Sequence, residues 1–222
     1  MSSAVIQLLV LAAIAIFLIL RLRSVLGTRE GFEKPRVSQT GGTDAAEDRR
    51  RGFEVIEGGP DTDITDHVTD GSPAAKALAD MKSVDPEFHV GEFLHGARQA
   101  YEMILMAFEN GELDEVLPFL SRDVYESFAE VVEMREREGL TVEATFVGLR
   151  EIKLITASFD PDTNEAELTV RFEGEITSVV RDSEGNVVEG DPNEIKRQND
   201  AWTFARRMDA DSPNWQLVAT GE

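Results

Sequence analysis

Few side chains in this sequence are spaced to do chemistry. His95 and Glu102 stand seven residues apart, which on a helix is two turns along nearly one face. With Tyr101 between them, they could pass a proton if a pocket enclosed them. The plainer reading sets His95 on a helix flank and makes Tyr101 and Tyr125 core aromatics with a polar tip. The stretch DPDTNEAE opens like a calcium loop, with Asp160, Asp162 and Asn164 at alternate positions. Such a loop needs glycine at its sixth position and a bidentate glutamate at its twelfth. Here those positions hold Glu165 and Arg171, so the stretch reads as a hairpin turn. No GxSxG, HExxH, P-loop or GxGxxG pattern occurs. Cysteine is absent, which removes disulfides and thiolate metal sites. The expectation is a protein with no catalytic residue, no metal and no cofactor.

Charge narrows the partners. Of the net −21, residues 85–222 carry −19, from 12 basic and 31 acidic side chains. Nucleic-acid binding rests on Lys and Arg neutralising phosphates, so that class is excluded. A field of this sign attracts basic or amphipathic polypeptide segments, or serves only to keep the domain soluble.

The elements that would carry these residues are legible from periodicity. Ser72 and Pro73 start a short helix, and Asp85-Pro86 repeats the same start signal. In the helix that follows, Phe93, Ala97, Ala100, Tyr101, Ile104 and Phe108 share one stripe, and Asn110-Gly111 ends it. ELDEVL is a short helix running into Pro118. Ser121 caps a further helix with Val124, Phe128 and Val131 on its apolar face, stopped by Gly139. Beyond Gly139 the period becomes two. Strands are expected at 140–159, 165–181, 195–207 and 215–220, with a bend or bulge near Gly148 because the first is long. EGDPNEIKRQND reads as a polar connection, either an ordinary loop or one that binds a partner. Helices followed by an antiparallel meander give an α+β fold, with the curved sheet wrapped on the long helix as a cone.

Ahead of this domain, residues 27–74 read as a disordered linker rich in Gly, Pro, Asp and Thr, with a root-mean-square reach of roughly 35–40 Å. Within it, RRRGFEVIEGG holds the one cluster of large apolar residues, Phe53, Val55 and Ile56, a short docking motif or merely part of the coil. Residues 1–26 read as a transmembrane anchor. From Ala4 to Leu20 the only polar residue is Gln7, and residues 4–22 are long enough to cross a bilayer as a helix. Arg21 and Arg23 follow at once, where an export signal would carry small residues for cleavage. Basic residues stay on the cytoplasmic side. The expected topology is single-pass in the inner membrane, with the N-terminus outside and residues 75–222 in the cytoplasm.

Several of these segments, taken in order, resemble the Tim44-like domain, that of the mitochondrial import-motor scaffold and its bacterial relatives. The resemblance rests on Phe93, Gly96-Ala97, Ala100-Tyr101-Glu102, Ala107-Phe108, Gly111, Leu117 and Leu120-Ser121. At the other end it rests on Trp202-Thr203-Phe204 and Pro213-Asn214-Trp215-Gln216-Leu217. It implies an α+β cone related to cystatin-like and nuclear-transport-factor-like folds. It also implies a scaffold or tether beside a protein-translocating machine. The expected function is thus a membrane-anchored adaptor binding protein or peptide partners. The alternative is a membrane-anchored cone that binds a small molecule or lipid, with or without catalysis. Phe93, Ala97, Tyr101, Ile104, Phe108, Phe128, Trp202 and Trp215 are the candidate pocket or partner contacts.

Overall fold

Local signals start the domain, but its first contacts are long-range. A computed structural model of the chain describes residues 61–221. The anchor, its flanking arginines and residues 27–60 of the expected linker lie outside the described residues. Asp61 caps a one-turn helix, α1 (Thr62–Thr65), which buries Ile64. The expectation of a structureless linker through residue 74 therefore fails for its last part. The cause is Asp63, whose side chain has three partners that no local pattern announces. Its carboxylate accepts from the backbone N–H groups of Val90 (2.8 Å) and Gly91 (3.0 Å), and Lys82 Nζ lies 2.8 Å away. Lys82 also reaches Asp61 at 2.7 Å, so one ammonium holds both carboxylates.

Helix α2 (Pro73–Val84) begins as expected, with the Ser72 hydroxyl accepting from the Ala75 N–H. The long helix α3 (Val90–Asn110) starts four residues later than Asp85-Pro86 suggests. Asp85 closes α2 instead, its carboxylate accepting from the Glu87 N–H and pairing with Arg206 of the sheet. His89 supplies no side-chain cap, so Asp63 does that work from 27 residues upstream. The α3 terminus is as read: Gly111 (φ 76°) follows it, with Gly111 N–H donating to Phe108 and Glu112 N–H to Ala107, a Schellman pair. Two 3₁₀ turns, Leu113–Glu115 and Leu117–Phe119, lead to α4 (Arg122–Arg137), capped by Ser121.

The sheet is an antiparallel meander in the order β1 (Thr141–Asp160), β2 (Glu165–Arg181), β3 (Val187–Arg207), β4 (Gln216–Gly221). Three register shifts bend β1, one of them between Phe146 and Gly148 where the bend was expected. On β2, Ala166, Leu168, Val170, Phe172, Gly174 and Ile176 form the buried face. One correction concerns β3. EGDPNEIKRQND is no open loop, because pairing with β2 resumes at Asp191 after a break between Lys196 and Asp191. Pro192 falls inside that break, where a residue without an N–H costs no ladder bond. Helices α2 and α3 pack on β1, while α4 meets β4. The described residues thus form helices packed against an open four-stranded antiparallel sheet.

Burial costs the Asp63 carboxylate, but the hydrogen bonds from Lys82, Gly91 and Val90 and the Lys82 charge outweigh it, holding the carboxyl at about 2 against an ordinary 3.8. Asp63→Ala is expected to lower unfolding free energy by about 2 kcal/mol at neutral pH. A depressed folded value means that the contribution is complete above the unfolded value and fades as pH falls through 3.8 toward 2. Urea melts of both proteins check this: the gap between them should narrow across that acid window. A gap unchanged to about pH 2 would assign the loss elsewhere.

Candidate functional site

The first turns of α3 and the segment before β4 enclose a cleft of about 840 Å³. Phe88 and Phe93 stand at the N′ and N4 positions of α3, the spacing of a hydrophobic staple. Trp215 packs on both, its ring centroid 5.8 Å from Phe88 and 4.8 Å from Phe93. Phe204 meets Phe93 edge-on at 6.0 Å. Ala97, Phe204 and Met208 complete the buried floor, and the exposed Met103 projects at one side. This wall is apolar because three elements deliver aromatic residues to one place.

The rim is acidic. Asp85, Glu87, Glu92, Asp209 and Asp211 line the cleft against a single guanidinium, Arg206. That guanidinium is committed to Asp85, with only 9% of the Arg206 side chain and 20% of the Asp85 side chain exposed. It also lies over the Trp215 ring at 5.8 Å, a cation–π contact that fixes the indole. Arg206 Nε is buried without an acceptor. His89 lines the same cleft, its Nδ1 3.8 Å from Asp63 Oδ2.

The expected contact residues separate into three groups. Phe93, Ala97 and Trp215 line the cleft. Tyr101, Ile104 and Trp202 lie in the core beneath α3. Tyr101 stacks on Phe172 at 4.4 Å and donates a 2.5 Å hydrogen bond to Asp200. Burial first, then that bond and the Asp200 charge, push the phenol far above its ordinary value, so it stays a donor. Phe108 and Phe128 form a separate seam between α3 and α4, 4.7 Å apart, with Arg135 over Phe108 at 4.6 Å. Beside them burial raises the Glu109 carboxyl, opposed in part by Arg135. The proton-passing pair does not assemble. His95 and Glu102 are exposed, and His95 lies 3.4 Å from Gln99. DPDTN is a hairpin turn between β1 and β2, with Asp160 accepting from the Asp162 N–H. Among the described residues, no group of three or more His, Asp or Glu is arranged to hold a metal ion, and no helix is long and apolar enough to cross a membrane. A shallower groove of about 400 Å³ lies between Gly111–Glu115 and α4. Its charged lining is wholly acidic: Glu112, Asp114, Glu115, Glu133 and Glu136.

Phe88, Asp85, Phe204, Arg206, Met208 and Met103 were not among the sequence candidates. For Phe88 the staple spacing to Phe93 was a usable signal. For Asp85 and Arg206, 121 residues apart, the sequence carries none.

Residues 74–222 match the family profile of the Tim44-like domain. The chain belongs to the Tim44-like domain family. Among curated relatives, the mitochondrial import inner membrane translocase subunit TIM44 of Homo sapiens is 26% identical over 165 residues, and that of Mus musculus 24% over 165. A probable subunit of the same name type from Caenorhabditis elegans, tin-44, is 23% identical over 148 residues. The human and mouse alignments take in 70% of this chain but 36% of the relatives, so the chain spans about a third of their length. Among solved structures, the intermembrane space region of the chloroplast protein ARC6 overlays at a TM-score of 0.39 with 14% identity, covering 58% of this chain and 94% of that one. That overlay is too loose to bear on function.

Proposed function

We propose that this Tim44-like chain is a membrane-tethered adaptor, without catalysis, that holds basic or amphipathic segments of other proteins at the inner membrane. Residues 4–22 span the bilayer in this reading, with Arg21 and Arg23 at the cytoplasmic foot and the α+β domain on that side. The curvature of the sheet around α3 is read as the cone of the related folds. The relatives' names place them in a protein translocase of the mitochondrial inner membrane, which supports a role beside protein-moving machinery.

One observation carries the reading: an aromatic floor under a carboxylate rim at the α3 start. Such a surface suits a segment with apolar anchors and positive flanks. The floor supplies the contact area, and the rim supplies attraction and orientation.

Binding of a fluorescein-labelled basic amphipathic Lys/Leu peptide tests this, with the full chain in phosphatidylcholine nanodiscs and anisotropy as the readout. Trp215→Ala is expected to weaken binding at least about tenfold, since it removes the ring that joins Phe88 and Phe93. Raising salt from about 0.05 to 0.5 M is expected to weaken it further. Equal affinity for both proteins would remove the cleft from the account and leave the acidic groove beside α4 as the binding surface.

A further inference from the structure

We infer that Met103 is an oxidation site that governs this cleft: a hydroperoxide converts its thioether to the sulfoxide, and the polar oxygen so placed on an apolar wall weakens the hold on a partner. The inference rests on the adaptor reading above and adds its regulation.

Three observations converge. The first is access. The sequence has six methionines and no cysteine, so the thioether is its only side-chain sulfur. Sulfur is oxidised where solvent reaches it. Met81 and Met208 are buried, and Met106 packs partly buried against the core. Among the described residues the exposed methionines are Met103, at 39%, and Met134 on α4, at 37%. Two thioethers of matched exposure thus meet peroxide alike, and of the two only Met103 lines the cleft.

The second is placement. Gly96, Ala100 and Met103 all line the cleft and follow one another at four- and three-residue steps, on one face of α3. The first two are small, and a Cβ added at Gly96 would meet nothing within 4 Å. This bank of the cleft is therefore low, and Met103 is the large apolar side chain that stands on it. A partner segment seated on Phe93 and running along the bank reaches Met103 after roughly 15 Å of helix. The unbranched thioether adapts to whatever apolar group lies against it.

The third is chemistry. The sulfur attacks one peroxide oxygen, the O–O bond breaks as the S–O bond forms, and with hydrogen peroxide the other oxygen leaves as water. Sulfur is oxidised by two electrons and the peroxide is reduced by two. The sulfoxide is neutral, so the carboxylates of the rim keep their field. Its oxygen is a hydrogen-bond acceptor that an apolar anchor cannot satisfy, and covering it strips water without replacement. Attraction to the rim persists while the apolar contact is lost. A thiol-dependent sulfoxide reductase reverses the step: two thiols become a disulfide and the oxygen leaves as water.

The test uses the full chain in phosphatidylcholine nanodiscs, hydrogen peroxide and the labelled Lys/Leu peptide. Tandem mass spectrometry locates the added oxygen at each methionine. Peroxide is expected to oxidise Met103 and Met134 together and to weaken peptide binding at least about fivefold. The slope of affinity against salt should stay as it was, and reductases for the two sulfoxide epimers should restore binding. Each variant is compared with its own untreated form. Met134→Leu is expected to show the same fall, and Met103→Leu none. Unchanged affinity with Met103 fully oxidised overturns the inference. So does an equal fall in Met103→Leu, or a Met103 that stays reduced while Met134 is oxidised. In any of these cases Trp215-dependent binding by untreated protein leaves the adaptor reading standing. If untreated protein shows no Trp215-dependent binding, both fail.

Discussion

Tyr101→Ala is expected to destabilise the domain by about 4 kcal/mol, the largest effect of any single side chain named here. Tyr101 is fully buried. Its ring stacks on Phe172 and meets Trp202 at 4.7 Å and Phe146 at 6.1 Å. Its hydroxyl donates to Asp200 on β3. Alanine would leave a cavity between α3 and three strands, and collapse is resisted because the sheet is held by its ladder. Gly174 shows how tightly the space is filled: a Cβ there would stand 2.7 Å from the Tyr101 hydroxyl. Tyr101→Phe keeps the ring and withdraws one donor from Asp200, at a cost of about 1–2 kcal/mol. The phenol's raised value gives the pair a further signature. Its stability contribution is complete below the unfolded value of 10.0 and is lost as pH rises through the folded value. Urea melts at neutral pH and above pH 10 should therefore show the Tyr101→Phe deficit shrinking in alkali. A loss below about 1 kcal/mol for Tyr101→Ala would mean that α3 does not rest on this residue.

Arg206→Met is expected to cost about 3 kcal/mol and to disable the cleft at the same time. The guanidinium pairs with Asp85, which is largely shielded, and removing one partner of such a pair leaves a charge without compensation. It also withdraws the cation that lies over Trp215. The double variant Asp85→Leu with Arg206→Met should recover most of the loss, because neither charge then remains to be solvated. Recovery of stability need not restore binding, since the indole has still lost its cation. Melts of the four proteins in a double-mutant cycle supply the coupling energy. Peptide anisotropy on the same four separates stability from binding. Additive losses, with coupling below about 0.5 kcal/mol, would show that the pair is decorative.

Helix stops and strand periods were legible because they are local. Gly111 and Gly139 end α3 and α4 by left-handed backbone that glycine adopts freely, and β2 alternates residue by residue. Helix α3 could be read as a stripe, but not by neighbour. Its 21 residues extend roughly 30 Å, so one stripe meets Trp215 at its start, Phe172 and Trp202 midway, and Phe128 near its end. What could not be read depends on partners distant in sequence. The start of α3 is set by Asp63, the start of β3 by pairing around Pro192, and the cleft by Asp85 meeting Arg206. Each local signal there was outcompeted by a tertiary contact.

The central claim is that the cleft at the start of α3 receives polypeptide. Its most direct test places the photoreactive residue benzoylphenylalanine at Met103 in the full-length protein, within its own membranes. Irradiation followed by mass spectrometry identifies what was attached. The account predicts crosslinks to basic, amphipathic polypeptide segments, lost when Trp215→Ala is added. Crosslinks only to lipid or small molecules, or polypeptide crosslinks that persist unchanged in Trp215→Ala, would contradict it.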